Sequence, residues 1–476
     1  MSDTERYGNP LGERYASPEM NRIFSDRYKY STWRRVWLAL AEAEKEMGLP
    51  ISDAQLEELR ATLDDVNFES AEAHEKRLRH DVMAHLHAWG EQAPTAFGIL
   101  HMGATSCYVS DNTELIQMRE GLRLVLARAA AVLEVLAAFA REHRDMACLS
   151  YTHGQPAQPT TVGKRACLWM QDLVMDVADV ERLARELPCR GAKGTTGTQA
   201  SFLELFKGDN EKVRRLDRMV AEKLGFERTV PVTGQTYPRK IDSQVLASLA
   251  NAAQSASKFA HDIRILASRH EIEEAFGKNQ VGSSAMVYKR NPMRCERICS
   301  LARHVAALAG EAVWTASVQW FERTLDDSAG RRLYIAESFL ATDAILILWE
   351  NVASGLVVYP GVIEGLLARE IPFMASEAIL MAATAAGGNR QDLHERLRRH
   401  SQAAARRVLE QGEMNDFFSR VYSDPAFEAA KDQMDTTLRD PMRFVGRARE
   451  QVDEFLAEHV EPILARIEAR RGETDI

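Results

Sequence analysis

The chain is short of the residues that interrupt helices. It has 27 glycines and 15 prolines among 476 residues, below the ~12% usual for the two together. That scarcity favours helix over a turn-rich β architecture. Positive charge is also short: 60 Lys and Arg stand against 69 Asp and Glu, a net charge of −9. Phosphate backbones demand a cationic excess, so a general nucleic-acid binder is excluded. A small anionic substrate is still compatible, given a local cationic pocket. The six cysteines (Cys107, Cys148, Cys167, Cys189, Cys295 and Cys299) include no Cys-x-x-Cys pair and no zinc-like spacing with histidine. The N-terminal MSDTERYGNP lacks the apolar segment of a secretory leader, and Arg128, Glu134, Asp343 and Glu350 break the best apolar runs. These absences predict a reduced, cytoplasmic protein without membrane spans. No GxxxxGK[ST] or GxGxxG occurs, so no nucleotide cofactor is expected, and no metal.

What remains is helical periodicity. From Thr113 to Arg144, Leu115, Met118, Leu122, Val125, Ala129, Leu133, Leu136 and Phe139 recur at steps of three and four. That pattern predicts a helix of about 30 residues, ~45 Å long, capped by Asp111 or Asn112. Four more long helices are predicted: from Gly163, around Leu249–Leu266, after Pro292, and through YIAESFLATDAILILWENVASGLVV. Their length, far above the ~11–12 residue average, suggests a bundle buried on several faces, partly against other copies of the chain. The flanks hold shorter helices. The expected division is 1–111, 112–362 and 363–476, all-α, with RTVPVTGQ the only strand candidate.

Five polar, small-residue segments interrupt the helices: HMGATSCYVSDN, SYTHGQPAQPTT, GAKGTTGTQASF, VTGQTYPRK and GKNQVGSSAMVYKRNP. Each alone is an ordinary connector. Together, between long helices, they hold the donors and acceptors of a polar-ligand site.

The segment GSSAMVYKRNPMRCE closely resembles the signature GSSxMPxKxNP of the fumarase/aspartase superfamily, through Gly282, Ser283, Ser284, Met286, Lys289, Asn291 and Pro292. Val287 stands where proline is usual, which relaxes the loop but removes no reactive group. HMGATSCYVSDN and SYTHGQPAQPTT resemble the superfamily's other two signature segments, in the same order. Within it, RYASPEM, RHDVMAHLHAWG, THGQPAQPTTVGKR, KGTTGTQASF, VTGQTYPRK and RTLDDSAGRR resemble the adenylosuccinate lyase family, from about residue 7 to beyond 440. The resemblance implies three helical domains, a twenty-helix core in a homotetramer, and active sites shared between subunits. It also implies a β-elimination that releases fumarate from a nucleotide substrate without a cofactor.

The same resemblance assigns the base to Ser283 and the acid to His153. His80 matches a second active-site histidine, which either positions His153 or binds phosphate. Lys289 and Asn291, with Thr105, Ser106 and Thr152, would surround the carboxylate beside which negative charge develops. Gln235 would orient the substrate, and Glu296 would orient His153 or Lys289. Arg79 and Asp81 flank His80 in the motif. Arg14, Tyr15, Arg323, Ser328 and Arg332 would hold the phosphate, with Arg297 within reach of the same pocket. Arg331 is expected to be solvated. The segment from Gly277 to Pro292 is expected to be a lid. Argininosuccinate lyase, a carboxymuconate cycloisomerase and a non-catalytic structural relative are the rival readings; the arginine cluster argues against the first two, Ser283 with His153 against the third.

Overall fold

Each long helix follows a usable start and meets no breaker. The protein, seen in a computed structural model that describes residues 7–277, 280–431 and 440–473, is all-α apart from two small sheets. Helix α1 (Asp26–Glu46) starts at Ser25, whose hydroxyl accepts the Tyr28 N–H. Helix α2 (Asp81–Gln92) starts at His80. The central bundle follows: α3 (Ser106–Glu142), α4 (Val162–Glu186), α5 (Lys240–Ser268), α6 (Met293–Val318) and α7 (Asp327–Ser354). Helix α3 packs on α4 and α7, α5 on α4, α6 and α7, and α6 on α7, while α1 lies against α3. Alanines at 129, 130, 137, 253, 256 and 260 are buried in these contacts and let the helix axes approach closely.

Helix α3 begins earlier than its apolar pattern suggests. Thr105 is its N-cap, without a side-chain cap bond. Asp111 and Asn112, expected as caps, are buried in its second turn and committed elsewhere. Asn112 accepts the Gly191 N–H at 3.1 Å, and Asp111 pairs with Arg239 at 3.2 Å. The expected division at 111/112 therefore falls inside one helix.

After α7 come α8 (Pro360–Met374), α9 (Ser376–Ala385) and α10 (Arg390–Gln411). A small second core runs from Ala375 to Ala430 through Ile379, Leu393, Leu397 and Phe417. The main core is continuous from Leu11 to Ile463, because the helix Ala448–Phe455 returns to pack on α4.

The strands do not fall on the one segment expected to form one. RTVPVTGQ forms only an isolated bridge, Thr229 to Cys189. An antiparallel hairpin instead joins β1 (Ala147–Thr152) to β2 (Gln155–Thr161), with His153 and Gly154 at its tip in the left-handed region. A second pair, β3 (Ile272–Glu273) with β4 (Val357–Val358), lies at the far end of α5. No helix among the described residues is long and apolar enough to cross a membrane.

Candidate active site

The predicted residues gather into separate groups within one chain. The first lies around the starts of α2, α3 and α7. Arg79 ends a short helix in the left-handed conformation, turning the chain so that His80 caps α2. His80 Nδ1 accepts the Met83 N–H at 3.3 Å. The ring proton therefore sits on Nε2, which faces Ser106 Oγ at 3.4 Å. Beneath it, Trp37 donates to His101 at 2.8 Å, and burial above all pushes the His101 imidazole down to about 4. His101 is thus a neutral acceptor at neutral pH. Asp81 faces Arg332 at 3.4 Å. Cys107, next to Ser106, donates its thiol to Gln235 Oε1 at 3.5 Å.

Gln235 and Arg323 are held by a buried charge network. The Gln235 N–H donates to Glu322 O at 2.8 Å, and its carbonyl accepts from Arg190 at 2.8 Å. Asp111 accepts the Tyr237 N–H at 3.0 Å and pairs with Arg239. Arg239 and Arg323 each reach Asp327 at 2.7 Å. Burial alone would raise the Asp327 carboxyl, but these two guanidinium groups outweigh it and hold the group below the usual carboxylate range. Arg331 is not solvated as expected: it is 4% exposed and pairs with Asp242 at 2.7 Å and with Glu114. A doublet of arginines on a helix gives no sign of which one turns inward. Here Arg331 faces the bundle and Arg332 faces solvent. Ser328, one residue beyond Asp327, is half-buried.

The second group is the hairpin tip. Thr152 and His153 are both exposed, and His153 makes no hydrogen bond among the described residues.

The third is the signature loop. Within the expected lid, Lys278 and Asn279 lie outside the described residues. Gly282 is required by a crossing of the chain, since a Cβ there would sit 2.0 Å from the Lys289 carbonyl oxygen. Asn291 ties the same crossing by donating to Gly282 O at 2.7 Å. Ser283 Oγ accepts N–H bonds from Ala285 at 3.3 Å and Met286 at 3.0 Å. Backbone donors aimed at an oxygen favour its anionic form, which is what a hydroxyl needs to act as a base. Val287 is 94% exposed at the crest, so its side chain packs on nothing. Lys289, Asn291 and Glu296 line a cleft of about 980 Å³ with His261, Arg264, Glu273 and Tyr359. The last four carried no sequence motif.

A fourth group sits at the other face of α6. Arg297 lies over the Tyr15 ring at 5.6 Å, with one guanidinium nitrogen buried and without a hydrogen-bond partner among the described residues. Arg14 is exposed beside it in sequence.

Among the described residues, no hydrogen bond or ion pair joins Ser283 or Lys289 to His153 or His80. One chain thus presents parts of a site, not a closed one. The parts are a hydroxyl polarised by backbone donors, imidazoles, and arginines suited to carboxylates or phosphate.

Comparison with known proteins agrees with this inventory. A family model described as "Lyase" matches residues 14–307, and one described as "Adenylosuccinate lyase C-terminus" matches residues 372–455. The chain is 51% identical to an adenylosuccinate lyase of Saccharomyces cerevisiae, over 97% of this chain and 96% of the relative. It is 50% identical to one of Schizosaccharomyces pombe, over 98% and 97%. A 3-carboxy-cis,cis-muconate lactonizing enzyme from Pseudomonas putida superposes with a TM-score of 0.81 at 21% identity, covering 96% of this chain and all of that one; at that identity the likeness establishes the fold alone. The chain is a C–N lyase and belongs to the adenylosuccinate lyase family.

Proposed function

We propose that this protein eliminates fumarate from adenylosuccinate, giving AMP, and from the imidazole-carboxamide analogue SAICAR, giving AICAR. The observation that carries the reading is the Ser283 loop, where two N–H groups converge on Oγ. The carbon beside a carboxylate loses its proton to Ser283, the C–N bond breaks as the new double bond forms, and His153 protonates the departing nitrogen. Lys289, Asn291, Thr105, Ser106 and Thr152 stabilise the carboxylate on which charge accumulates. Gln235 orients the substrate, Glu296 orients its neighbours, and His80, flanked by Arg79 and Asp81, donates from Nε2. Arg14, Tyr15, Arg297, Arg323, Ser328 and Arg332 take the phosphate.

The working form in this reading is a homotetramer whose sites draw on different subunits. Two features favour it: the catalytic groups are apart within one chain, and the end of α6 leaves Trp314 74% and Phe321 89% exposed, an apolar surface of the kind that subunit contacts cover. All six cysteines are free and buried, in keeping with a cytoplasmic site of action. The test offers adenylosuccinate and argininosuccinate separately to the purified protein and follows fumarate release. Turnover of the first, abolished by Ser283→Ala, is expected. Turnover of argininosuccinate alone would overturn the substrate, and an active Ser283→Ala variant would overturn the base.

A further inference from the structure

The hairpin that carries His153 has a poor backbone ladder. Prolines sit opposite two of its β1 residues, Pro159 against Leu149 and Pro156 against Tyr151, and the register slips between Leu149 and Tyr151. Proline has no N–H to give, so the ladder lacks donors at both positions, and Thr152 with Gln155 is the last pair before the tip. Gly154, at φ +72°, has nothing within 4 Å of where a Cβ would be, so packing does not restrain it either.

A side chain does. Tyr151 lies two residues before His153 and is half-buried against the main core. Its hydroxyl donates to Glu271 Oε1 at 3.3 Å and accepts from Arg269. Arg269 Nε donates to the same Glu271 oxygen at 2.6 Å, and its guanidinium stacks over the Tyr151 ring at 4.2 Å. Glu271 is 1% exposed and is anchored through its backbone, its N–H on Leu266 O and its carbonyl accepting the Tyr359 N–H, both at 3.0 Å. The triad therefore fastens the loose hairpin to the end of α5 and to the β3–β4 pair.

We propose that Tyr151, held by Arg269 and Glu271, is a positioning residue that aims His153 at the leaving nitrogen. This rests on the elimination reading above and deepens it. Tyr151 touches no reacting atom in this scheme; its whole effect passes through the imidazole.

The experiment is a double-mutant cycle between Tyr151→Phe and His153→Gln, assayed for fumarate release from adenylosuccinate. Phenylalanine keeps the ring under Arg269 and removes only the hydroxyl. Alone, Tyr151→Phe is expected to lower kcat by roughly 10-fold or more with KM nearly unchanged, since a small misplacement of a catalytic group costs rate rather than binding. In the His153→Gln background it is expected to change kcat by less than about twofold, because the group it aims is gone. Equal loss in both backgrounds would mark a merely structural residue and overturn the proposal. So would an unimpaired Tyr151→Phe enzyme. A fully active His153→Gln variant would instead overturn the choice of acid, leaving the lyase reading in place. If Tyr151→Phe does not fold, Arg269→Lys, which keeps the charge beside Glu271 but loses the fork, replaces it with the same expected outcomes.

Discussion

Glu44 occupies the inner stripe of α1, eleven residues after Trp33 and seven after Trp37, both buried. It is fully buried, and neither carboxylate oxygen has a hydrogen-bond partner among the described residues. Burial pushes its carboxyl from 4.5 up to about 9. It is therefore protonated in the folded protein and ionised in the unfolded chain at neutral pH. Because the folded value is the higher one, its stabilising contribution is complete below about pH 4.5 and is lost as pH rises towards about 9. Each pH unit in that window costs about 1.4 kcal/mol, on the order of 4 kcal/mol by pH ~7.5. Glu44→Gln removes the titration while retaining the shape. Urea unfolding, followed by tryptophan fluorescence at fixed protein concentration, compares the two proteins at about pH 5.5 and about pH 8. The variant is expected to gain on the wild type by about 3 kcal/mol between those values. A pH-independent difference would mean that Glu44 is ionised in the fold, and the desolvation argument would fail.

Other substitutions separate support from chemistry. Gly282→Ala places a methyl group against the Lys289 carbonyl, so kcat should fall at least about 10-fold while the far-ultraviolet spectrum is unchanged; a fully active variant would show that the loop crossing is not needed. Arg331→Met removes the partner of the buried Asp242 carboxylate and of the half-buried Glu114 and should cost about 3–5 kcal/mol of stability. Arg332→Met, at the exposed neighbour, should leave stability within about 0.5 kcal/mol and raise KM for the nucleotide substrate. Identical behaviour of the two variants would contradict their assignment to opposite sides of α7.

The long helices were legible because periodicity over 25 or more residues leaves little alternative. The loop from Gly282 to Pro292 was legible because it resembles a superfamily signature, and the structure supplies the reason for its glycine, a chain crossing against the Lys289 carbonyl that leaves no room for a Cβ. The hairpin at 147–161 was not: three of its residues between Thr152 and Pro159 are glycine or proline, and its ladder is too irregular for a two-residue alternation. Asp111 and Asn112 misled for a different reason. They are good helix caps in isolation, but their partners, Arg239 and Gly191, lie more than 75 residues away and leave no local trace. The same holds for Arg331, and for Tyr151 with Arg269 and Glu271, whose contact spans about 120 residues. Motifs thus marked the groups proposed to do the chemistry, while those that hold them emerged only from the packing.

In the proposed tetramer, groups left apart in one chain meet between chains. Ser283→Ala and His153→Gln variants, each nearly inactive alone, can be co-expressed and the mixed tetramers assayed for fumarate release. Random assembly should restore about one quarter of wild-type activity, since that fraction of sites would draw an intact serine and an intact histidine from different subunits. Mixed tetramers no more active than either parent would place both residues of a site on a single chain, and would contradict the shared-site account.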